Sequence, residues 1–188
     1  MAVLFSGKAA AAALREGLTA RAAALLGLGI TPTLAVLRVG ERPDDLAYEA
    51  GAKRGCEKLG VGFRSLVLPD TAATEEALDA VQAVNGDGGV HGCLLLRPLP
   101  KPMDETRIRN SLAAAKDVDG VTDASLAGVF TGSGAGYAPC TAQACVELLD
   151  YYGVDPAGKN AVVVGRSLVV GRPLGMLLLN RNATVTLC

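Results

Sequence analysis

At 188 residues, half of them apolar, the chain is long enough for one large domain or two small ones around a sizeable core. Its 18 Lys and Arg against 19 Asp and Glu leave a formal net charge of -1, which offers no electrostatic footprint for nucleic acid or an acidic membrane surface. No run of about 20 apolar residues is present, so a membrane span is not expected.

Ser6 is placed to cap a helix running to about Leu26, an alanine-rich stretch that ends in Gly-Leu-Gly. Thr33–Gly40, "TLAVLRVG", is an apolar run with a glycine stop and predicts a buried strand. "RPDD" turns the chain into a second helix, about Asp45 to Leu59, stopped by Gly60. "VGFRSLVL" predicts a second strand, and Ala77, Leu78, Val81 and Val84 carry helical spacing across Thr74–Val84. "GVHGCLLLRPLP" predicts a third strand that ends in prolines, and a short helix follows near Asp104 to Ala114. "KDVDGVTDASLAGVFTG" is rich in turn formers and predicts a long loop. A helix over Thr141–Tyr152 then leads into strand, helix and strand up to Cys188.

Strands alternating with helices predict an α/β fold with mainly parallel strands. Glycine-rich Thr131–Pro139 divides the two halves, as a domain boundary or a loop lining a cleft. The start has no cationic segment ahead of its apolar residues, which argues against a signal peptide and points to the cytoplasm. Of five cysteines (Cys56, Cys93, Cys140, Cys145, Cys188) none forms a C-x-x-C pair, and the lone His91 completes no usual zinc set, so no metal is expected. They are expected to be reduced, mostly packed as small hydrophobes. The pair Lys53-Arg54 reads as a solvated helix face.

The last 27 residues have the order of a first nucleotide-binding unit: strand, the turn Gly165-Arg166-Ser167, helix, strand. The glycines at 165, 171 and 175 do not spell G-x-G-x-x-G. Gly165 would allow the tight turn, Gly171 a close backbone approach, and Arg166 offers a fork of donors to a phosphate. Spacing alone leaves nucleotide binding and a plain strand–turn–helix both open. The acidic ribose partner would fall near or beyond Cys188, so spacing does not separate NAD from NADP.

Six stretches in order resemble the methylenetetrahydrofolate dehydrogenase/cyclohydrolase family: "VGERPDDLAYEAGAKRGCEKLGV", "LLLRPLP", "KDVDG", "APCTAQACVELL", "VVVGRSLVVGRPLGMLLL" and "NATVTLC". The resemblance implies an N-terminal α/β catalytic domain, residues 1–139, that binds tetrahydrofolate. It implies that residues 140–188 open an NAD(P)-binding Rossmann domain, incomplete here, with folate in the cleft between the two. The implied activity is oxidation of 5,10-methylenetetrahydrofolate with NADP, or NAD in some members, and hydrolysis of the methenyl product to 10-formyltetrahydrofolate. A folate substrate and a homodimer come with the family. So does the assignment of Tyr48 to the folate ring, Asp119 to the pterin's amino edge and Pro98 to substrate binding. Asp117 reads as a turn former beside Asp119. Gly165, Arg166, Ser167 and Gly171 match the cofactor turn, with Arg166 placed for a 2'-phosphate, which favours NADP.

Three departures stand out. The resemblance implies catalytic roles for Tyr48, Asp119 and a lysine, but the family's catalytic lysine falls four residues after Tyr48, at Ala52, and Lys53 comes one later, about 100° around a helix. Lys53 reaches the site through its flexible stem or a local bulge, or else is an ordinary surface lysine. The family glutamine that orients that lysine falls at Leu96, beside Arg97. Hydride transfer needs no such pair and hydrolysis does, so the visible residues favour a dehydrogenase over a cyclohydrolase. The chain also stops at the second Rossmann strand, which predicts a truncated record or gene fragment. A non-catalytic folate-binding fragment therefore stands as an alternative to the enzyme. A shikimate-dehydrogenase-like protein is a third reading, against which "KDVDG" and "RPLP" both argue.

Overall fold

The computed structural model describes residues 3–188. The elements follow in the order α1 (Gly7–Gly27), β1 (Thr33–Val39), α2 (Pro43–Leu59), β2 (Gly62–Leu68), α3 (Thr74–Gly86), β3 (Gly92–Leu95), α4 (Glu105–Ser111), α5 (Asp123–Thr131), α6 (Cys140–Tyr151), β4 (Asn160–Val163), α7 (Gly171–Leu179) and β5 (Thr184–Leu187). A single 3₁₀ turn, Ala114–Lys116, precedes α5. This is the expected α/β alternation. The chain divides into two compact units, Arg15–Asp117 and Met1–Leu14 with Val118–Cys188.

In the unit Arg15–Asp117 the sheet order is β2-β1-β3, all parallel. The register sets Val39 against Leu68 and Leu37 against Leu95, so the three carboxyl ends lie along one edge. Successive side chains of β1 face opposite sides. Ala35, Leu37 and Val39 enter a core with Ala77, Val81 and Val84 of α3 and Ile108 of α4. Arg38 points the other way, towards α2, and is only 9% exposed. The strand β3 stops at Leu95 rather than running into the prolines: Pro98 and Pro100 have no N–H to give a ladder.

In the other unit β4 and β5 pair in parallel, Val163 opposite Leu187, over a small core of Val163, Leu178 and Ala183. The stretch expected to be one long loop contains a helix. In α5 the Thr122 hydroxyl caps the start by accepting from the Ser125 amide (3.1 Å), and Gly132, at φ 66°, closes the end. The glycines after α5 permit close backbone approach rather than slack. A Cβ on Gly128 would stand 1.9 Å from the carbonyl oxygen of Ala135, so the loop folds back onto the helix.

All five cysteines are free thiols, and the expectation that most are packed inside is corrected: Cys56 and Cys93 are buried, Cys145 is half-buried, and Cys140 and Cys188 are exposed. Burial in the strand pushes the Cys93 thiol up to about 11, with the neighbouring Asp117 charge adding to it. No helix among the described residues is long and apolar enough to cross a membrane.

Candidate functional site

Parallel α/β sheets present ligands at the carboxyl ends of their strands. At that edge of the three-stranded unit, Gly40 follows β1 with φ 74°, and Arg42 occupies the N-cap position of α2 without a side-chain capping bond. The Arg42 guanidinium holds Asp45 through two bonds of 2.8 and 2.9 Å, and that carboxylate makes the guanidinium's proton still harder to lose. At the end of β3, Arg97 pairs with Glu105 at 3.4 Å, and Glu105 also accepts the Leu99 amide at 2.8 Å. The segment between β3 and α4 that carries Pro98 is thereby tied down at its far end. Pro98 itself is exposed.

Tyr48 stands on the second turn of α2 and is 59% exposed. The buried residues of that helix are Asp45, Glu49 and Cys56, spaced as one stripe, with Ala52 half-buried between them. A largely polar inner stripe requires partners, and β1 and β2 supply them. Arg38 Nε donates to Glu49 at 2.6 Å, the other Arg38 arm donates to the Gly40 carbonyl, and the Ser65 hydroxyl donates to Glu49. Tyr48 and Lys53 flank this stripe on opposite sides, about 140° apart at 100° per residue. The helix is unbroken from Pro43 to Leu59, so no bulge brings Lys53 round; it is exposed, as is Arg54. Ala52 lies within about 40° of Tyr48. Leu96, 6% exposed, alternates from Leu95 and so takes the Arg38 side of the sheet.

The buried Arg38–Glu49 pair, with exposed Ser65 bonded to it, escapes a reading by motif, yet its signal is in the sequence. An arginine inside the apolar run "TLAVLRV" demands a buried acidic partner, and Glu49 follows on the second turn of the next helix.

In the other unit Asp119 is half-buried and its backbone is fixed on both sides. The Cys140 thiol donates to the Val118 carbonyl at 3.2 Å. Gly120 has φ 66°, and a Cβ there would stand 2.5 Å from the backbone nitrogen of Pro139. The stretches "KDVDG" and "APCT", separated in sequence, thus meet as one structural element. Asp117 is no surface turn former: it is fully buried, and its backbone bridges Cys93 of β3.

The three glycines at the end of the chain each do a distinct job. Gly165, at φ 124°, makes the turn out of β4. A Cβ on Gly171 would lie 1.9 Å from the Gly165 carbonyl oxygen, so α7 begins directly against that turn. A Cβ on Gly175 would lie 2.9 Å from a Leu187 methyl, so the helix packs close on β5. Tight turn, close approach and helix–strand packing are what a dinucleotide fingerprint asks of its glycines. Here they are met at other spacings. Arg166 and Ser167 are exposed on the turn; the Ser167 hydroxyl accepts the Val170 amide at 3.1 Å and its carbonyl the Arg172 amide at 3.0 Å, which organises the approach to α7. Among the described residues no group of three or more His, Cys, Asp or Glu side chains is arranged to hold a metal ion.

Comparison with known proteins decides the family. Residues 5–119 match the model for the tetrahydrofolate dehydrogenase/cyclohydrolase catalytic domain, and residues 139–188 match that for its NAD(P)-binding domain. The chain belongs to the tetrahydrofolate dehydrogenase/cyclohydrolase family. It is 44% identical to the bifunctional protein FolD of Alkaliphilus oremlandii, over all of this chain and 66% of that protein. The chain thus spans just under two thirds of the length of that relative. The crystal structure of FolD from Campylobacter jejuni superposes with a TM-score of 0.93 at 35% identity, covering 97% of this chain and 64% of that one. The Trypanosoma brucei dehydrogenase-cyclohydrolase, solved with NADP and an inhibitor, gives 0.88 at 30% identity, covering 99% and 64%.

Proposed function

We propose that the chain carries the substrate-binding and cofactor-binding elements of an NADP-dependent methylenetetrahydrofolate dehydrogenase acting in one-carbon metabolism. Residues 1–139 act as the folate-binding domain and residues 140–188 open the cofactor-binding domain. The observation that carries the reading is the close approach of Gly171 to the Gly165 turn, at the end of β4, in a chain that matches both domains of the family in order. In the reaction, the methylene carbon between two folate nitrogens loses a hydride, and the resulting cation is delocalised over both nitrogens. NADP, when bound, supplies the hydride acceptor, and the protein chiefly aligns the two reactants.

The roles assigned to this chain's residues follow from their chemistry. Tyr48 offers an exposed aromatic face at the carboxyl edge of the sheet, beside which Pro98 is also exposed. Asp119 offers two acceptors to the paired donors of a pterin's amino edge, on a backbone already fixed by Cys140 and Gly120. The Gly165-Arg166-Ser167 turn and Gly171 suit a pyrophosphate, and Arg166 a 2'-phosphate. NAD takes the same turn without using that cation. A cytoplasmic homodimer accompanies the reading, and five free thiols fit a reducing compartment.

Hydrolysis of the methenyl product needs a proton manager. Ala52 stands at the family lysine's place, Leu96 at that of its glutamine, and Lys53 on the opposite flank of α2 from Tyr48. Dehydrogenation without efficient hydrolysis is therefore the expected behaviour. Purified protein is assayed for both steps, with tetrahydrofolate and NADP titrated separately. Folate binding without NADP binding would favour a non-catalytic folate-binding fragment. Rapid hydrolysis abolished by Lys53→Ala would overturn the dehydrogenase-only reading.

A further inference from the structure

The lysine that opens the Lys116–Gly120 stretch has no part in the chemistry above. Its ammonium turns back into the three-stranded unit, where Nζ donates to the carbonyls of Val84 (2.6 Å) and Asp87 (2.7 Å). Those carbonyls close α3, where the last turn lacks intrahelical donors and the helix dipole favours a cation. Asn85, on the same turn, holds the same segment with both ends of its amide. Nδ2 donates to the Ser111 carbonyl at 2.7 Å, and Oδ1 accepts the Ala113 amide at 2.9 Å. Side-chain bonds from two residues thus clamp 111–116 to the end of α3. Just beyond, the Asp117 amide bonds the Ala113 carbonyl at 3.1 Å and its backbone bridges β3. Asp119 is two residues further on, within about 7 Å of extended chain.

We propose that Asn85 and Lys116 are positioning residues for folate recognition: they fix the backbone that enters Asp119, so that its carboxylate meets the pterin already ordered. The inference rests on the reading of Asp119 as the pterin's partner. Two arguments separate it from ordinary loop packing. The amide of Asn85 uses a donor and an acceptor at once, which admits one register of the segment and no other. The Lys116 stem lies inward with its ammonium on two carbonyls, whereas a lysine in a polar turn is ordinarily left to solvent. Freeing the segment would restore backbone freedom to residues that binding must then order again, which weakens binding by about tenfold or more.

The test compares Lys116→Met, Asn85→Ala and the donor-restoring Lys116→Arg with the wild type in the full chain. Amide hydrogen exchange is read over 117–120, and tetrahydrofolate and NADP are titrated separately. The clamp predicts that Lys116→Met and Asn85→Ala speed exchange over 117–120 at least tenfold and weaken tetrahydrofolate binding about tenfold. Protection in β1 and affinity for NADP stay unchanged, and Lys116→Arg recovers most of the loss. Unchanged exchange in both variants overturns the proposal, as does faster exchange without loss of folate affinity. Loss of protection throughout the chain shows a structural role only and overturns it too. If the wild type takes up no tetrahydrofolate, the reading of Asp119 has failed, which is distinct from a wild type that binds and variants that bind equally well.

Discussion

Replacing Gly171 by alanine adds one methyl group at the tightest point of the proposed cofactor turn. That carbon would stand 1.9 Å from the Gly165 carbonyl oxygen, 2.4 Å from its carbon and 2.7 Å from the Arg166 nitrogen. Ordinary contact needs about 3.3 Å, so turn and helix must part by roughly 1.4 Å, and every atom in the way is backbone. Overpacking in a close-packed region costs about 1–3 kcal/mol. A clash with fixed backbone belongs at the top of that range, so about 3 kcal/mol is expected, and the turn proposed to receive phosphate is displaced with it. Gly17→Ala is the matched control: the same methyl, within α1, meets nothing within 4 Å. There the gain in helix propensity stabilises by about 0.5–1 kcal/mol. Urea unfolding followed by circular dichroism, with NADP titration of each variant, reads both effects. If Gly171→Ala unfolds within about 0.5 kcal/mol of the wild type and binds NADP equally well, the glycine argument for the turn is wrong.

Arg38→Met leaves the Glu49 carboxylate buried without its cation and is expected to cost about 3 kcal/mol, whereas Arg38→Met with Glu49→Leu recovers most of it; a double-variant loss equal to the sum of the two single losses would show that the pair is not coupled. Arg166→Gln is expected to weaken NADP about tenfold or more while leaving NAD unchanged, since one fork of donors to a 2'-phosphate is lost; parallel loss of both would place Arg166 elsewhere on the cofactor. The Cys93 thiol, raised from 9.0 to about 11 by burial, keeps its proton in the folded chain after the unfolded chain has lost it. Its contribution to stability is therefore complete below about pH 9 and declines as the pH rises towards 11. Native-state thiol labelling at pH 8 should modify Cys140 and Cys188 and spare Cys93, and rapid labelling of Cys93 would contradict its burial.

Element order was legible wherever apolar periodicity and glycine stops agreed, as in β1, α2 and α3. It failed at α5. Thr122 and Gly132 are both good caps, but the helix between them is short and buries Ser125, Gly128 and Val129 while Phe130 is exposed, so its apolar residues do not mark its inner face. The end of β3 is harder to place, because leucines continue past Leu95 and Leu96 still donates to the Leu37 carbonyl, while Pro98 and Pro100 have no N–H to carry a ladder further. For the site, the resemblance named the residues, but neither it nor spacing could tell which side of α2 faces the sheet. Charged residues are expected outward, and here Asp45 and Glu49 point in because Arg42 and Arg38 meet them. The jobs of Gly171 and Gly175 were equally hidden, since close approach is a property of two elements at once.

The charged underside of α2 bears on how this chain could be converted. Restoring the family's lysine at position 52 looks like a single exchange of alanine. That lysine would stand one turn beyond Glu49, whose two oxygens are already held by Arg38 and Ser65. A cation arriving there would compete with Arg38 for one carboxylate, instead of meeting a glutamine, because position 96 is leucine. The sites at 38, 49, 52 and 96 therefore form one interdependent set. A lysine at 52 would find a setting suited to it only if the residues at 38, 49 and 96 changed with it.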